Sequence, residues 1–165
     1  MSDRPTFYLS EEEGKPIRAG GVIFYKKNSG EMELLLINVN GMYEDFGGKT
    51  DTMDKNIIET VSREVDEESN KIFKRKKLYN RILDSKFVYS SISKYLIYIV
   101  PLTDAEYELD VSIFGDKELH DDIPRTVEFV KLTKFLDKNF QKNLNFRLRN
   151  YSLFNILQMI NNTSP

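Results

Sequence analysis

The stretch SREVDEES, residues 62–69, places four carboxylates within five consecutive positions: Glu64, Asp66, Glu67 and Glu68. Like charges repel, and on a helix each close pair costs roughly a few tenths of a kcal/mol. Residues three and four apart share a helix face, so the three glutamates project together, while Asp66 points elsewhere, toward solvent. A divalent cation would relieve the repulsion, because Mg²⁺ takes a few carboxylates and fills its other positions with water and substrate phosphate. The alternative is a charged, solvated helix face.

A helix is expected to carry these carboxylates. Apolar residues recur at helical spacing beside them, at Ile58, Val61 and Val65. This periodicity predicts a helix over Lys55–Ser69. Asp54 is the predicted N-cap, and Asn70 stands where helices commonly end in a left-handed residue, a conformation that Asn tolerates.

The segments before the helix would position it. Residues 40–54 are loop-like and include Gly47 and Gly48, which let the backbone approach a ligand closely. Carbonyl groups freed by such a turn can themselves coordinate metal. Two apolar runs, 19–27 and 32–39, come earlier and are separated by Asn-Ser-Gly, which predicts a β-hairpin.

A strand, a Gly-Gly loop and an acidic helix in this order resemble the Nudix hydrolase family. The Nudix box runs Gly, five residues, Glu, seven residues, then Arg-Glu-aliphatic-x-Glu-Glu-x-Gly. Gly48 matches the first Gly, and REVDEE at 63–68 matches the core without a substitution. Glu59, four residues before Arg63, fits the Glu-Ala-Ala-x-Arg-Glu pattern common in the family. The resemblance covers residues 47–70.

Three positions depart from the box. The loop before the helix is one residue longer, so the first Glu is matched only by Asp54, out of register. Asn70 replaces the terminal Gly, a mild change at a left-handed cap. Phe46 replaces the Pro that usually precedes Gly-Gly. None of these changes removes a catalytic carboxylate.

The resemblance implies an α+β fold of the Nudix type, an α/β/α sandwich around a mixed sheet. It also implies Mg²⁺- or Mn²⁺-dependent cleavage of a nucleoside diphosphate linked to another group. Glu64 and Glu68 would be metal ligands, with the Gly48 carbonyl as a further ligand. Glu67 would be a ligand or the general base. Arg63 would orient the glutamates by ion pairing.

Many family members place one more acidic catalytic residue in a loop before a late strand. Residues 120–130 resemble that region, so Asp122 is the candidate, with Asp121 in reserve and Glu118 as a further possibility. An ordinary acidic loop is the competing interpretation. His120, the only histidine, is more typical of a surface residue than of a base.

Two residues near the Gly-Gly loop are candidates for substrate binding. Tyr43 sits where the family often has Trp, and it could stack on a base or pack in the core. Lys49 could reach a phosphate or lie in solvent.

The basic stretch KIFKRKK, residues 71–77, leaves the substrate class open. Clustered Lys and Arg attract phosphates, so it could hold a polyphosphate or an RNA backbone, although a solvated basic face is more typical. With RLR at 147–149 it supports the alternative of an mRNA-cap (decapping) hydrolase. Nucleoside triphosphates, dinucleoside polyphosphates, nucleotide sugars and inositol pyrophosphates are the other candidate substrates. A non-catalytic nucleotide sensor is a third alternative, against which the intact glutamates argue.

Length and composition set the frame. The 165 residues predict an N-terminal tail, 1–17, and a single domain, 18–165. The net charge of −2 does not favour nucleic acid or an anionic membrane, and the lack of cysteine excludes disulfides, thiolate metal sites and cysteine nucleophiles. The N-terminus has no secretory-signal pattern and no apolar run approaches a membrane span. We expect an intracellular protein, cytoplasmic or alternatively nuclear, with a nucleotide-type substrate and no membrane partner.

The remaining patterns complete an α+β prediction. Strands are expected at 86–91, 94–102 and 126–132, and an amphipathic helix at 149–162. The acidic segment 103–122 separates the second and third of these strands.

Overall fold

The structure, a computed structural model, describes residues 3–10, 14–118 and 121–163. The chain divides into two compact units. The box unit comprises Met1–Val22 and Phe46–Val100, and the second unit comprises Ile23–Asp45 and Pro101–Pro165. The fold is α+β, as predicted.

The strands and helices of the described residues follow one another along the chain. The strands are β1 (Phe7–Tyr8), β2 (Pro16–Ile17), β3 (Ala19–Asn28), β4 (Glu31–Val39), β5 (Met42–Glu44), β6 (Phe46–Lys49), β7 (Lys86–Ser90), β8 (Tyr95–Pro101) and β9 (Thr126–Lys131). The helices are α1 (Ile57–Glu68), α2 (Arg75–Leu83), α3 (Asp104–Tyr107), α4 (Leu132–Phe135), α5 (Lys138–Gln141) and α6 (Tyr151–Asn162), with 3₁₀ turns at Val111–Phe114 and Phe146–Leu148.

Antiparallel pairs build the sheet structure of the box unit. β1 pairs with β2, the start of β3 pairs with β6, and β7 pairs with β8. The predicted strands at 86–91 and 94–102 are therefore confirmed. The described part of the predicted tail contains β1 and β2, and the boundary at residue 17 stays a prediction.

Helix α1 has the predicted apolar face, since Val61 and Val65 are fully buried. Its N-cap is Asn56, whose Oδ1 accepts from the Glu59 backbone N–H at 2.9 Å, so the prediction of Asp54 as N-cap is wrong. Asn70 follows the helix with φ of 54°, which confirms the predicted left-handed end.

Helix α2 was not predicted. It packs on α1, and the buried side chains Leu78 and Ile82 form its inward face. Phe73, just before it, is also buried and meets the Phe46 ring edge-on, with centroids 6.1 Å apart. An inward face of only two residues gives a weak periodic signal, which explains the omission.

The second unit is built on β4, whose residues 34–37 are fully buried. It pairs antiparallel with the rest of β3, with β5 and with β9. The predicted β3–β4 hairpin is confirmed, and Ser29 and Gly30 turn it with φ of 54° and 83°. A parallel bridge joins Tyr43 to Leu144, and α6 confirms the predicted closing helix.

The prediction of a loop over residues 40–54 is wrong for β5 and β6. Gly47 and Gly48 lie within β6, opposite Gly21 and Gly20 of β3. Glycine in a strand marks a close approach of another group, and here several groups converge on it. Within the described residues, no helix is long and apolar enough to cross a bilayer.

Candidate active site

The glycine strand β6 lies directly against the acidic helix. The Gly47 N–H donates to Glu68 Oε1 at 2.5 Å. A Cβ built on Gly48 would overlap the carboxylate of Glu64. The two glycines therefore position two of the three glutamates: Gly47 holds Glu68 by a hydrogen bond, and Gly48 leaves the space that Glu64 occupies.

The other side of β6 is equally tight. A Cβ on Gly47 would overlap the Tyr95 hydroxyl and the Gly20 carbonyl oxygen. A Cβ on Gly20 would stand 2.9 Å from a methyl group of Val61 on α1. A side chain at Gly20 would push α1 away from the strands, so Gly20 sets the distance between the helix and β3, whereas a side chain at Gly47 would collide with β3 and with Tyr95 of β8.

Arg63 links the helix to the loop that precedes it. Its Nη2 donates to Asp54 Oδ2 at 2.9 Å and to the Lys49 carbonyl at 3.2 Å, and its Nε donates to Asp54 Oδ1 at 3.3 Å. Its Nη1 donates to Glu64 Oε1 at 2.9 Å and lies 3.9 Å from Glu67 Oε1. One planar guanidinium thus contacts three carboxylates, a geometry that Lys cannot reproduce.

Asp54 is the buried member of this cluster, with a side chain only 3% exposed. It also accepts from the Thr60 hydroxyl at 2.7 Å and the Asp51 N–H at 2.8 Å. Burial alone would raise the pKa of Asp54, but the hydrogen bonds from Arg63, Thr60 and Asp51 outweigh it and hold the pKa below its usual value. Asp54 is therefore a carboxylate, which holds the Arg63 guanidinium.

Sequence reasoning missed the role of Asp54. The first spacing of the box was a signal for Asp54, because five residues separate Gly48 from Asp54, as between the first Gly and the Glu of the box. The additional residue lies between Asp54 and Arg63. The Glu59 carboxylate lies at the start of α1, where its Oε1 accepts from the Lys55 N–H at 2.9 Å.

Glu67 differs from its two neighbours. Its side chain is 49% exposed, whereas the side chain of Glu64 is 19% exposed. Asp66 points away from the glutamates, as predicted, but its Oδ2 accepts from the Arg75 N–H at 3.0 Å instead of facing only solvent. Within the part of the chain described, no three acidic or histidine side chains lie close enough to form a metal cage.

The residues present nevertheless fit a magnesium-type ion. Mg²⁺ is usually held by one or two carboxylates, with water and substrate phosphate completing its shell, and does not need a cage of protein ligands. Glu64 rests in the space that a side chain at Gly48 would fill, and Glu68 is anchored on the same strand. These two carboxylates and the Gly48 carbonyl, all hard oxygen donors, are the residues that would hold the ion.

The candidates outside the box, Tyr43 and the acidic residues Asp121 and Asp122, belong to the second unit. Tyr43 is buried, its ring lies 4.8 Å from that of Phe140, and its hydroxyl donates to Glu128 at 2.9 Å. Asp122 is exposed, and Asp121 Oδ1 accepts from the Ile123 N–H at 2.9 Å. The substrate role of Tyr43 and the catalytic role of Asp122 stay predictions.

Two other candidates can be placed only in part. Lys49 is exposed in the box unit, and its carbonyl is occupied by Arg63. Its phosphate role stays a prediction. His120 lies outside the described residues.

Several solved structures share this fold. C. elegans Ap4A hydrolase in a binary complex is 14% identical, with 87% of this chain and 96% of that chain covered and a TM-score of 0.53. The Nudix domain of Shewanella oneidensis NrtR complexed with ADP ribose is 14% identical, covering 92% and 93%, at 0.52. A Listeria monocytogenes protein assigned as a NUDIX hydrolase is 12% identical, covering 88% and 94%, at 0.51.

At these identities the likeness shows the fold alone. No protein-family model matches the chain, and no curated protein matches its sequence. The architecture and the box are nonetheless in agreement, because β6 and α1 place the matched residues together. The chain therefore has the fold of the Nudix hydrolases, and residues 47–70, which resemble the Nudix box, include most of β6 and all of α1.

Proposed function

We propose that this protein is a pyrophosphohydrolase that cleaves a phosphoanhydride bond in a nucleoside diphosphate linked to another group, with Mg²⁺ or Mn²⁺ as cofactor. The observation that carries the proposal is the seating of Glu64 and Glu68 on the glycine strand while Arg63 holds Glu64 from the other side. A solvated helix face would not need this bracing. Glutamates in fixed positions are what catalysis on a polyphosphate requires.

Each residue of the cluster has a distinct part in the proposal. Glu64, Glu68 and the Gly48 carbonyl would hold the ion, which when bound neutralises phosphate charge and lowers the pKa of bound water. Glu67, the most exposed of the three glutamates, is free to accept a proton from the attacking water or to act as a further ligand. Arg63 is a positioning residue that Asp54 holds in place.

Two structural neighbours suggest where to begin with substrates. One is an Ap4A hydrolase and the other is complexed with ADP ribose, and both Ap4A and ADP ribose contain an adenosine diphosphate group. Fold likeness at this identity does not transfer a substrate, so specificity rests with the residues outside the box. We propose a small nucleotide of this type as the leading substrate class.

The orientation of α2 bears on the capped-RNA alternative. Asp66, which caps the basic end of α2, lies roughly 160° to 200° around α1 from Glu64 and Glu68, since successive helix residues are turned by about 100°. A strand of RNA lying on the basic stretch would therefore run along the side of α1 that faces away from the glutamates. This favours a small nucleotide over a capped RNA end.

The test is product formation from a panel of Ap4A, ADP ribose, a nucleoside triphosphate, a nucleotide sugar, an inositol pyrophosphate and a capped RNA, with Mg²⁺ and with excess chelator. The proposal expects cleavage of at least one small nucleotide that stops with chelator. Binding of a panel member without cleavage would support the sensor alternative. Cleavage of capped RNA alone would support the decapping alternative.

A further inference from the structure

The basic stretch after α1 is a feature that the proposed function does not use. Lys71 and the four residues 74–77, Lys-Arg-Lys-Lys, are exposed on the box unit. Within the described residues, none of these five side chains forms an ion pair. The chain as a whole carries a net charge of −2, so this concentration of positive charge is local.

The position of these cations within α2 makes them costly. Arg75, Lys76 and Lys77 form the first turn of the helix, where the helix dipole is positive, and that turn contains no acidic residue. The N-cap residue, Lys74, makes no side-chain capping bond. The compensation comes from α1, whose Asp66 accepts from the Arg75 N–H. A bound anion would relieve the repulsion that remains.

Helix α2 holds this charge on a rigid support. Its inward residues Leu78 and Ile82 are buried, and its Tyr79 hydroxyl accepts from Asn56 Nδ2 at 3.0 Å. Since Asp66 contacts one end of α2 and the N-cap Asn56 contacts its middle, α2 runs back along α1. The basic side chains are thus presented from a fixed helix rather than from a loose tail.

One partly exposed aromatic side chain follows the C-terminal end of α2. Phe87 is the second residue of β7, the strand that follows α2. Its side chain is 45% exposed, and its ring meets the Tyr98 ring edge-on, with centroids 6.0 Å apart. Burial is the main cause that raises the pKa of Tyr98 to about 12, and Tyr79 on α2 adds to it. Lys86, next to Phe87, is exposed as well. Along the chain, a partly exposed ring thus follows the first-turn cations, beyond the other end of α2.

We propose that α2 and the start of β7 form a binding surface for single-stranded nucleic acid, with Arg75, Lys76 and Lys77 on the phosphates and Phe87 stacking on a base. Cations that follow the backbone and aromatic faces that stack on bases are the combination by which single strands are bound without sequence preference. An acidic peptide would satisfy the cations but gives no reason for the exposed ring. The surface lies on the side of α1 away from the glutamates, so it acts independently of the proposed active site.

The experiment measures fluorescence anisotropy of a labelled single-stranded oligonucleotide of about twenty nucleotides, across a salt series. The test variant is Arg75→Gln/Lys76→Gln/Lys77→Gln. The control is Lys134→Gln/Lys138→Gln/Lys142→Gln, which removes the same charge from exposed positions of the second unit. The test variant should bind at least about tenfold more weakly, with the slope of log K against log salt reduced by about 2, since each lost contact to a single strand contributes about 0.7.

A second variant separates stacking from charge. Phe87→Ala should weaken oligonucleotide binding by about fivefold or more while leaving the salt slope unchanged. Its binding to polyglutamate should equal that of the wild type. The proposal is overturned if the two triple variants bind alike, or if polyglutamate competes as well as the oligonucleotide and Phe87→Ala has no effect.

The outcome is distinguishable from a failure of the proposed function. Cleavage of a small nucleotide by the Arg75→Gln/Lys76→Gln/Lys77→Gln variant should equal that of the wild type, because these residues lie away from the glutamates. If no panel substrate is cleaved, the anisotropy measurement still decides whether the surface binds a single strand.

Discussion

Arg63 donates two hydrogen bonds to Asp54, one to each carboxylate oxygen, at 2.9 and 3.3 Å. The same guanidinium reaches Glu64 on the next position of the helix at 2.9 Å. A buried loop carboxylate therefore fixes the arginine, and the arginine fixes a glutamate of the proposed site. The Arg63–Asp54 pair therefore supports the proposed site.

Asp54→Asn tests the support energetically. The change keeps the shape of the side chain but removes the charge that Arg63 faces, and hydrogen bonds to charged groups contribute about 2 kcal/mol. Chemical denaturation should show a loss of about that size in the free energy of unfolding. Asp51→Asn, at an exposed position of the same loop, is the control and should change stability by less than about 0.5 kcal/mol. Equal effects would contradict the role given to Asp54.

The same pair predicts a pH dependence. The folded-state pKa of Asp54 is lower than its usual value of 3.8, mainly because hydrogen bonds from Arg63 and Thr60 outweigh burial. Its contribution to stability is therefore complete above the usual value and is lost as the pH falls through the lower folded-state pKa. The stability difference between wild type and Asp54→Asn should be constant above about pH 5 and shrink in more acidic solution. A difference that widens with acid would contradict this.

Gly48→Ala tests the seating of Glu64. The new methyl group would occupy the place of the Glu64 carboxylate and displace it. A displacement of about 1 Å at a catalytic centre can cost about a hundredfold in rate. Turnover should therefore fall on that scale, while the circular dichroism spectrum stays unchanged. Gly41→Asn is the control, because the space around Gly41 is open and Asn tolerates its positive φ of 85°. Full turnover in Gly48→Ala would remove Glu64 from the site.

Arg63→Lys separates charge from geometry. A lysine keeps the charge but cannot bond Asp54, Glu64 and the Lys49 carbonyl together. Loss of such supporting contacts typically costs about 10- to 100-fold in activity, and turnover should fall in that range with the fold intact. Arg75→Lys, an exposed arginine without an ion pair among the described residues, is the matched control. Near-normal turnover of Arg63→Lys would contradict the positioning role proposed for Arg63.

The second unit contains its own buried ion pair. Asp45 is 0% exposed, and its Oδ1 accepts from Arg147 Nε at 2.7 Å. Arg147→Met should cost about 3–5 kcal/mol, because it removes the cation that pairs with a buried carboxylate. Lys131→Met removes a cation 3.8 Å from Glu31 in an exposed pair and should cost less than about 1 kcal/mol. If both variants lose the same stability in denaturation, the burial of Asp45 has no energetic consequence.

The sequence was sufficient to predict the box helix, the β3–β4 hairpin and the left-handed Asn70, because each depends on local periodicity or turn chemistry. It was insufficient for β6, where Gly47 and Gly48 resemble a turn. Their role as a strand depends on pairing with β3, about 27 residues away along the chain, and on contact with Glu64 and Glu68 of α1, about 16 and 21 residues away. Contacts between residues so far apart in the chain produce no local sequence pattern.

Helical spacing was likewise sufficient to predict that Glu64, Glu67 and Glu68 share one face of α1. It was insufficient to predict that Asp54 holds the Arg63 guanidinium. Residue type favours Asp54 as the N-cap, but Asn56 is also a good cap and lies closer to the first helical residue. Burial and the guanidinium then hold Asp54 for another purpose. Tyr95, whose hydroxyl lies against Gly47, had no signal in its own segment beyond that of a buried strand.

The most direct test of the account is a Mg²⁺ titration of turnover on a cleaved small nucleotide, for wild type and Glu68→Gln. Glu68→Gln retains an oxygen that can accept from the Gly47 N–H but removes the negative charge proposed to hold the ion. The account predicts that cleavage by the wild type rises from zero with Mg²⁺, and that Glu68→Gln needs about tenfold or more Mg²⁺ and has a lower maximum. Identical titration curves, or cleavage that persists in excess chelator, would contradict it.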